Sequence, residues 1–290
     1  MNDITKLTAE YQERGFCVLK QAVSHRTLVA ADIAIKSFAA DHMLTWRKNL
    51  DPDGLMRRVT NMHLMSTAIC DLVFNSSAID VADEVFGARA AIYTSLFFEG
   101  GSQQPIHRDA PYFHTNPVNS FVGCWVALED ADDTNGALEV VVGGHRIGDA
   151  DLIVACNNLG REKNKTHQQE ALLWEKYQKG ISEEALRRAL EHRVINVERG
   201  DVIIWHPLLP HGGSTPTQVG KSRRSLVFHL TPEGVPVGSL FHFFDRAQPM
   251  PRRASWGYRK HNGRSVAEVG NSVQFAHRGD GTRDEITIRR

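Results

Sequence analysis

Cysteine is scarce in this 290-residue chain: Cys17, Cys70, Cys124 and Cys156 stand far apart, with no CxxC pair. That spacing excludes a disulfide scaffold and reads as buried free thiols in a reducing compartment. Net charge is missing too, since Lys+Arg and Asp+Glu both total 34, so no global field points to nucleic acid or an anionic membrane. No apolar run approaches the ~18 residues of a membrane span. The opening Met1-Asn2-Asp3-Ile4 lacks the basic and apolar regions of a secretion signal. Repeats and low-complexity linkers are absent. The expectation is one cytoplasmic domain without a nucleic-acid or membrane partner.

What is present is an ordinary globular composition, 41% hydrophobic and 23% charged, ample for one core. Residues 1–89 read as a helical flank. A helix over 5–15 ends at Gly15, a short strand follows at 16–19, and Ser24 caps a helix whose stripe is Leu28, Ala31, Ile35, Phe38 and Ala39. Residues 46–62 are polar and irregular, and 67–86 reads as one or two helices broken near Asn75-Ser76-Ser77. From residue 90 to 231 the chain turns to short β-branched or aromatic runs, at 91–99, 120–128, 137–142, 194–198, 202–205 and 225–231. Gly, Asp or Pro turns separate them, which argues for a sandwich or jelly roll. Residues 148–193 interrupt this pattern as an insertion over the barrel mouth, with Ser182-Glu183-Glu184 read as a capping box that opens a helix. Residues 232–290 form a C-terminal arm or lid rich in arginine (Arg246, Arg252, Arg253, Arg259, Arg264).

The chemistry begins at Gln104-Pro105-Ile106-His107-Arg108-Asp109. On an extended backbone i and i+2 share a face, so His107 and Asp109 can converge on one ion while Arg108 points away. They make two thirds of the 2-His-1-carboxylate set that holds non-heme Fe(II); the plain alternative is a loop where two polar residues meet by chance. The stretch Gly200 to Ser214 supplies two candidates for the missing histidine. His206 ends a strand before a proline and reads as structural, whereas His211 precedes an open Gly212-Gly213 and is preferred. Along Arg223-Arg224-Ser225-Leu226-Val227-Phe228-His229-Leu230, alternation lets one arginine face inward, where a guanidinium can clamp a carboxylate. The other is a solvated strand-end charge.

Taken together these pieces resemble the phytanoyl-CoA dioxygenase family of Fe(II)/2-oxoglutarate oxygenases. The matching segments are His107-Arg108-Asp109, Trp125, the stretch Asn135-Gly136-Ala137-Leu138 through Gly143-Gly144-His145-Arg146, the Gly200-Asp201 turn, and His211 through Arg223. They cover about residues 90–230. The resemblance implies a mainly β fold with flanking helices around a double-stranded β-helix (jelly roll, cupin-like) core. It implies iron on His107, Asp109 and His211, and 2-oxoglutarate held by Arg223 with help from Ser214, Trp125 and Gln104. The family usually carries His-Gly-Ser, so one inserted glycine shifts both the serine and the arginine and favours Arg223 over Arg224. Asp109 also separates this chain from related halogenases, which lose that carboxylate. His145-Arg146 is read as a structural pair.

The implied reaction couples decarboxylation of 2-oxoglutarate to succinate and CO2 with O2-dependent oxidation, by hydroxylation, of a C–H bond in a small metabolite, with ascorbate in support. The 46–62 segment, residues 111–114, the insertion and the arm would line the substrate pocket, and arginines in the arm could meet an anionic substrate. Two other readings compete: a non-catalytic metal-binding jelly roll, and a Zn-dependent hydrolase on the same three ligands.

Overall fold

In the computed structural model, which describes residues 2–102, 104–159, 167–245, 248–276 and 283–288, the strand Ser225–Pro232 shows how the core is laid out. Leu226, Phe228 and Leu230 point to one face and pack with Leu28, Ile35 and Phe38 of the helix His25–Asp41. Val227 points to the other face, against Trp125, Ile203 and Trp205. Period-two alternation thus assigns each side chain to an outer layer under the helices or to an inner layer between sheets.

The larger sheet has ten strands among the described residues. Its main path runs Phe16–Leu19, Val202–Trp205, Val122–Ala127, Ser225–Pro232, Ala90–Phe98, Val59–Thr60, Ser272–Phe275 and Glu285–Thr287, with Tyr258–His261 and Arg264–Ala267 attached. Pairing is antiparallel except for one parallel contact, Val266 with Ile92. A three-stranded sheet of His192–Ile195, Leu138–Val141 and His211–Gly213 faces it. Leu138, Val140 and Ile195 meet Trp125, Ile203 and Val227 between the two layers. The result is an open jelly roll with helices packed on its outer face.

The helices begin and end where backbone chemistry directs. The side chain of Ser24 accepts a hydrogen bond from Thr27 N–H, and Gly15, at φ 86°, closes Ile4–Arg14 by donating to Tyr11 O. The helical stretch near 67–86 breaks into Thr67–Phe74 and Ala78–Phe86.

Three local expectations need amending. Residues 46–62 include the end of the helix Met43–Lys48 and the strand Val59–Thr60. The insertion carries two helices, Ala150–Leu159 and His167–Arg187. Ser182 lies inside the second helix and donates to Gln178 O at 3.1 Å. Three positions after Ser182 stands Ala185, so the reciprocal carboxylate of a capping box is missing and the serine bonds back along the helix instead. The C-terminal stretch contributes four strands to the large sheet, and Phe275 packs in the main core. All four cysteines are buried and free, and no helix of the described residues is long and apolar enough to cross a membrane.

Candidate metal centre

His107 and His211 are joined by reciprocal backbone hydrogen bonds of 2.8 and 2.9 Å, an antiparallel bridge between distant segments. The approach depends on Gly212, where a Cβ would lie 2.6 Å from Gln104 O and 3.1 Å from Ile106 N. The first glycine of Gly212-Gly213 is therefore a packing requirement of the metal segment.

Each histidine is fixed by its own backbone. His107 Nδ1 lies 2.8 Å from Pro105 O and His211 Nδ1 lies 2.9 Å from Leu209 O. A carbonyl only accepts, so each Nδ1 carries the proton and each Nε2 keeps a lone pair. Those Nε2 atoms sit 3.5 Å from Asp109 Oδ1 and Oδ2 respectively. All three side chains are buried, with their candidate ligand atoms within 4.8 Å of one another. Trp205 Nε1–H donates to Asp109 Oδ2 at 2.9 Å and sets the carboxylate plane. Two buried lone pairs aimed at a carboxylate repel it, and a cation between them turns that repulsion into ligation. The set fits a divalent transition metal, and two imidazoles with one carboxylate are the ligands of non-heme Fe(II).

Protonation states agree with this fit. Burial lowers the pKa of His211 to about 4 against the pull of Asp109, leaving the neutral imidazole that ligates metal. At Asp109 burial opposes the charge, while the neighbouring histidines, His211 first, lower its pKa by the attraction they exert when protonated; with the imidazoles neutral, the Trp205 N–H donor remains to steady the carboxylate. His206 has another occupation: its Nδ1 accepts from Leu208 N–H at 3.1 Å and its ring packs on Tyr11 and His145.

The centre opens into a cavity of about 630 Å³, whose lining includes Gln104, Trp125, Arg223 and His229. Arg223 is 2% exposed. Its Nη1 donates to Gly136 O at 3.0 Å, its guanidinium carbon lies 5.5 Å from the centre of the Trp125 ring, and its Nε is buried without a hydrogen-bond partner. Burial lowers its pKa to about 10, with Glu129 opposing, so it stays charged. A buried guanidinium in this state calls for an anion. Arg224 points the other way, into an ion pair with Asp32 at 2.7 Å. Ser214 Oγ is buried and unpartnered but does not line the cavity; its N–H donates to Ala137 O at 2.9 Å, beside the carbonyl that Arg223 uses.

Three supporting groups went unassigned in the sequence. Trp205 is one. Gln178, from the insertion helix, is the second: its Oε1 accepts from Arg108 N–H at 2.9 Å and its Nε2 donates to Arg108 O at 3.2 Å, clamping the backbone between the two ligands. Trp174 of the same helix is the third; it lines the cavity with its ring centre 6.1 Å from that of His107. Arg108 does point away from the metal residues, and its fully buried side chain bonds Gly144 O, Ile147 O and Tyr177 Oη. No local pattern marks Gln178, because its partner is a main chain seventy positions away.

His145 and Arg146 bond carbonyls of the helix Ile4–Arg14, a structural role as expected. Of the arginines proposed for an anionic substrate, Arg264 pairs with Asp83, Arg259 donates to His63 O, and Arg252 and Arg253 line a separate surface hollow. Arg246 lies outside the described residues. Among the described residues of the C-terminal stretch, Arg283 is the arginine that lines the metal cavity.

Buried neutral histidines give a pH dependence. Burial lowers His63 to about 3 and His229 to about 4. The unfolded chain binds both protons near pH 6.5, so the stability these groups confer is complete above that pH and is lost as pH falls toward the folded values. With about 1.4 kcal/mol per group per pH unit, the pair costs roughly 3 kcal/mol between pH 6 and 5. Urea midpoints of metal-free protein should fall steeply over that interval; a midpoint flat from pH 7 to 5 would contradict the burial of these imidazoles.

Comparison with known proteins follows the same lines. The phytanoyl-CoA dioxygenase (PhyH) family model matches residues 11–225. The peroxisomal phytanoyl-CoA dioxygenase of Bos taurus is 28% identical over 231 residues, covering 70% of this chain and 61% of the bovine protein. The match thus spans about three fifths of that relative. EctD from S. alaskensis, solved with 2-oxoglutarate and 5-hydroxyectoine, superposes with a TM-score of 0.60 at 17% identity, over 90% of this chain and 86% of its own. The epimerase SnoN of nogalamycin biosynthesis, in complex with Fe3+, alpha ketoglutarate and nogalamycin RO, gives a TM-score of 0.60 at 14% identity, over 91% of this chain and 98% of its own. At such identities the two structures establish the likeness of fold.

Proposed function

The chain belongs to the phytanoyl-CoA dioxygenase family, and on that premise we propose that it is an Fe(II)- and 2-oxoglutarate-dependent oxygenase. It would hydroxylate a C–H bond of a small molecule, consuming O2 and 2-oxoglutarate and releasing succinate and CO2. The observation that carries this reading is the pair of Nε2 lone pairs converging on Asp109, in one cavity with a buried Arg223 whose Nε has no hydrogen-bond partner among the described residues.

In this reading His107, Asp109 and His211 hold the iron, which with its co-substrates supplies the oxidising power. Pro105 O and Leu209 O keep both imidazoles in the ligating tautomer, and Trp205 fixes the carboxylate. Arg223 takes the distal carboxylate of 2-oxoglutarate against Trp125, Gln104 lies on the same cavity wall, and Ser214 supports the turn behind Arg223. Trp174 and Tyr112 cover the metal side and limit water. Asp109 is the one carboxylate among the described lining residues, so the carboxylate base that a zinc hydrolase would use has no candidate, while the arginine clamp has a clear task. Ascorbate would assist by keeping the iron reduced.

The test is succinate release from 2-oxoglutarate with Fe(II) and ascorbate, across a panel of small metabolites analysed for gain of one oxygen. Anaerobic Fe(II) plus 2-oxoglutarate should also give a visible charge-transfer band. Neither succinate nor band would leave a non-catalytic metal-binding module as the better account.

A further inference from the structure

The segment that carries His107 and Asp109 is gripped along both edges. On one edge His107 exchanges its two backbone hydrogen bonds with His211. On the other, the peptide groups of Arg108 meet a side chain: Gln178 accepts from Arg108 N–H at 2.9 Å and donates to Arg108 O at 3.2 Å. A carboxamide offers one acceptor and one donor group, so Gln178 fills the place of a neighbouring strand. The Arg108 side chain reaches the same helix. Its Nη1 donates to Tyr177 Oη at 3.1 Å, and that hydroxyl donates to Asp149 at 2.9 Å. Arg108 and Gln178 are both buried, so lifting the helix His167–Arg187 would strip a buried peptide of both partners. Trp174 stands one turn before Gln178 on the same face of that helix, against the cavity beside His107.

We propose that docking of the helix His167–Arg187 and metal binding at His107, Asp109 and His211 are linked, with Gln178 as the positioning residue that joins them. A metal fixes the 107–109 backbone in the conformation that Gln178 grips, so each event favours the other by the same factor. Metal loading thereby sets the Trp174 wall of the cavity. The inference rests on the metal-centre part of the proposed function and requires no turnover.

The experiment compares the parent, Gln178→Met and Ser182→Ala without oxygen, each with and without Fe(II). Gln178→Met keeps the side-chain length and removes both bonds to Arg108. Ser182→Ala removes a bond to Gln178 O in the same helix and leaves the grip intact. Equilibrium dialysis gives Fe(II) affinity, and hydrogen exchange follows peptides covering residues 105–112 and 170–185. Gln178→Met should lower Fe(II) affinity about tenfold or more, with Ser182→Ala at the parent value. In the parent, Fe(II) should slow exchange in both segments, by a factor that grows with metal concentration. In Gln178→Met at saturating Fe(II), only 105–112 should be slowed. A contact that merely braced the helix would leave the helix response to metal unchanged. If Gln178→Met does not fold by circular dichroism, the helix response of the parent decides. Parent Fe(II) affinity in a folded Gln178→Met, or a parent helix that ignores bound Fe(II), overturns the linkage alone. A parent that binds no Fe(II) overturns the linkage and the metal centre together.

Discussion

His211→Ala is expected to lower Fe(II) affinity by at least about a hundredfold, whereas His206→Ala leaves it unchanged. Loss of an outer partner of a metal ligand already costs about 10- to 100-fold, and loss of a ligand removes the bond itself. His211 is buried and His206 half-buried, a difference that does not by itself name the ligand; direction does. His211 aims Nε2 at Asp109 with its Nδ1 tied to Leu209 O, while His206 spends Nδ1 on Leu208 N–H and packs on Tyr11. Anaerobic titration with Fe(II), checked by metal content after dialysis and by circular dichroism for folding, decides the matter. Iron retained by His211→Ala and lost from His206→Ala would reverse the assignment.

Arg223→Leu should weaken 2-oxoglutarate by about 100- to 1000-fold, since truncating one partner of a buried charge pair costs about 2–5 kcal/mol. The metal-free protein should respond in the opposite sense. Without an anion Arg223 is a buried, uncompensated cation with an orphaned Nε, and a leucine there should leave stability equal or higher. Loss of co-substrate with no loss of stability marks a binding residue. Arg224→Leu should do the reverse: unchanged 2-oxoglutarate, with at most about 1 kcal/mol lost from its partly exposed pair with Asp32. The visible band of the anaerobic Fe(II) complex measures the first effect, and urea unfolding the second. Full 2-oxoglutarate affinity in Arg223→Leu would remove the clamp from the proposal.

Much of this was legible because strand periodicity is local. The run 225–231 announces its two faces, and the structure sends Leu226 and Phe228 to the helices and Val227 to the inner layer. The spacing of His107 and Asp109, and the glycines after His211, mark chemistry by residue type alone. Helix stop signals at Gly15 and Asn75 were equally local. Ser182 shows the limit: a serine before two glutamates looks like a start, yet it sits inside a helix begun at His167, because packing of Leu173, Tyr177 and Ile181 against Phe243 and Phe244 extends that helix beyond what its capping residues indicate.

The sequence by itself determined which residues could ligate, which faces of the strands are apolar, and that one of two adjacent arginines must turn inward. Only the tertiary structure decided that His107 and His211 share a backbone bridge, that Gly212 is needed for that contact, and that Trp205 and Gln178 hold the ligands from other elements. It also showed that Arg58 and Arg283, rather than the arginines clustered near 252–264, reach the cavity. The reason is physical. Periodicity records the direction of a side chain relative to its own backbone, whereas a site requires faces from distant segments to meet, and that meeting is set by register and close packing between them.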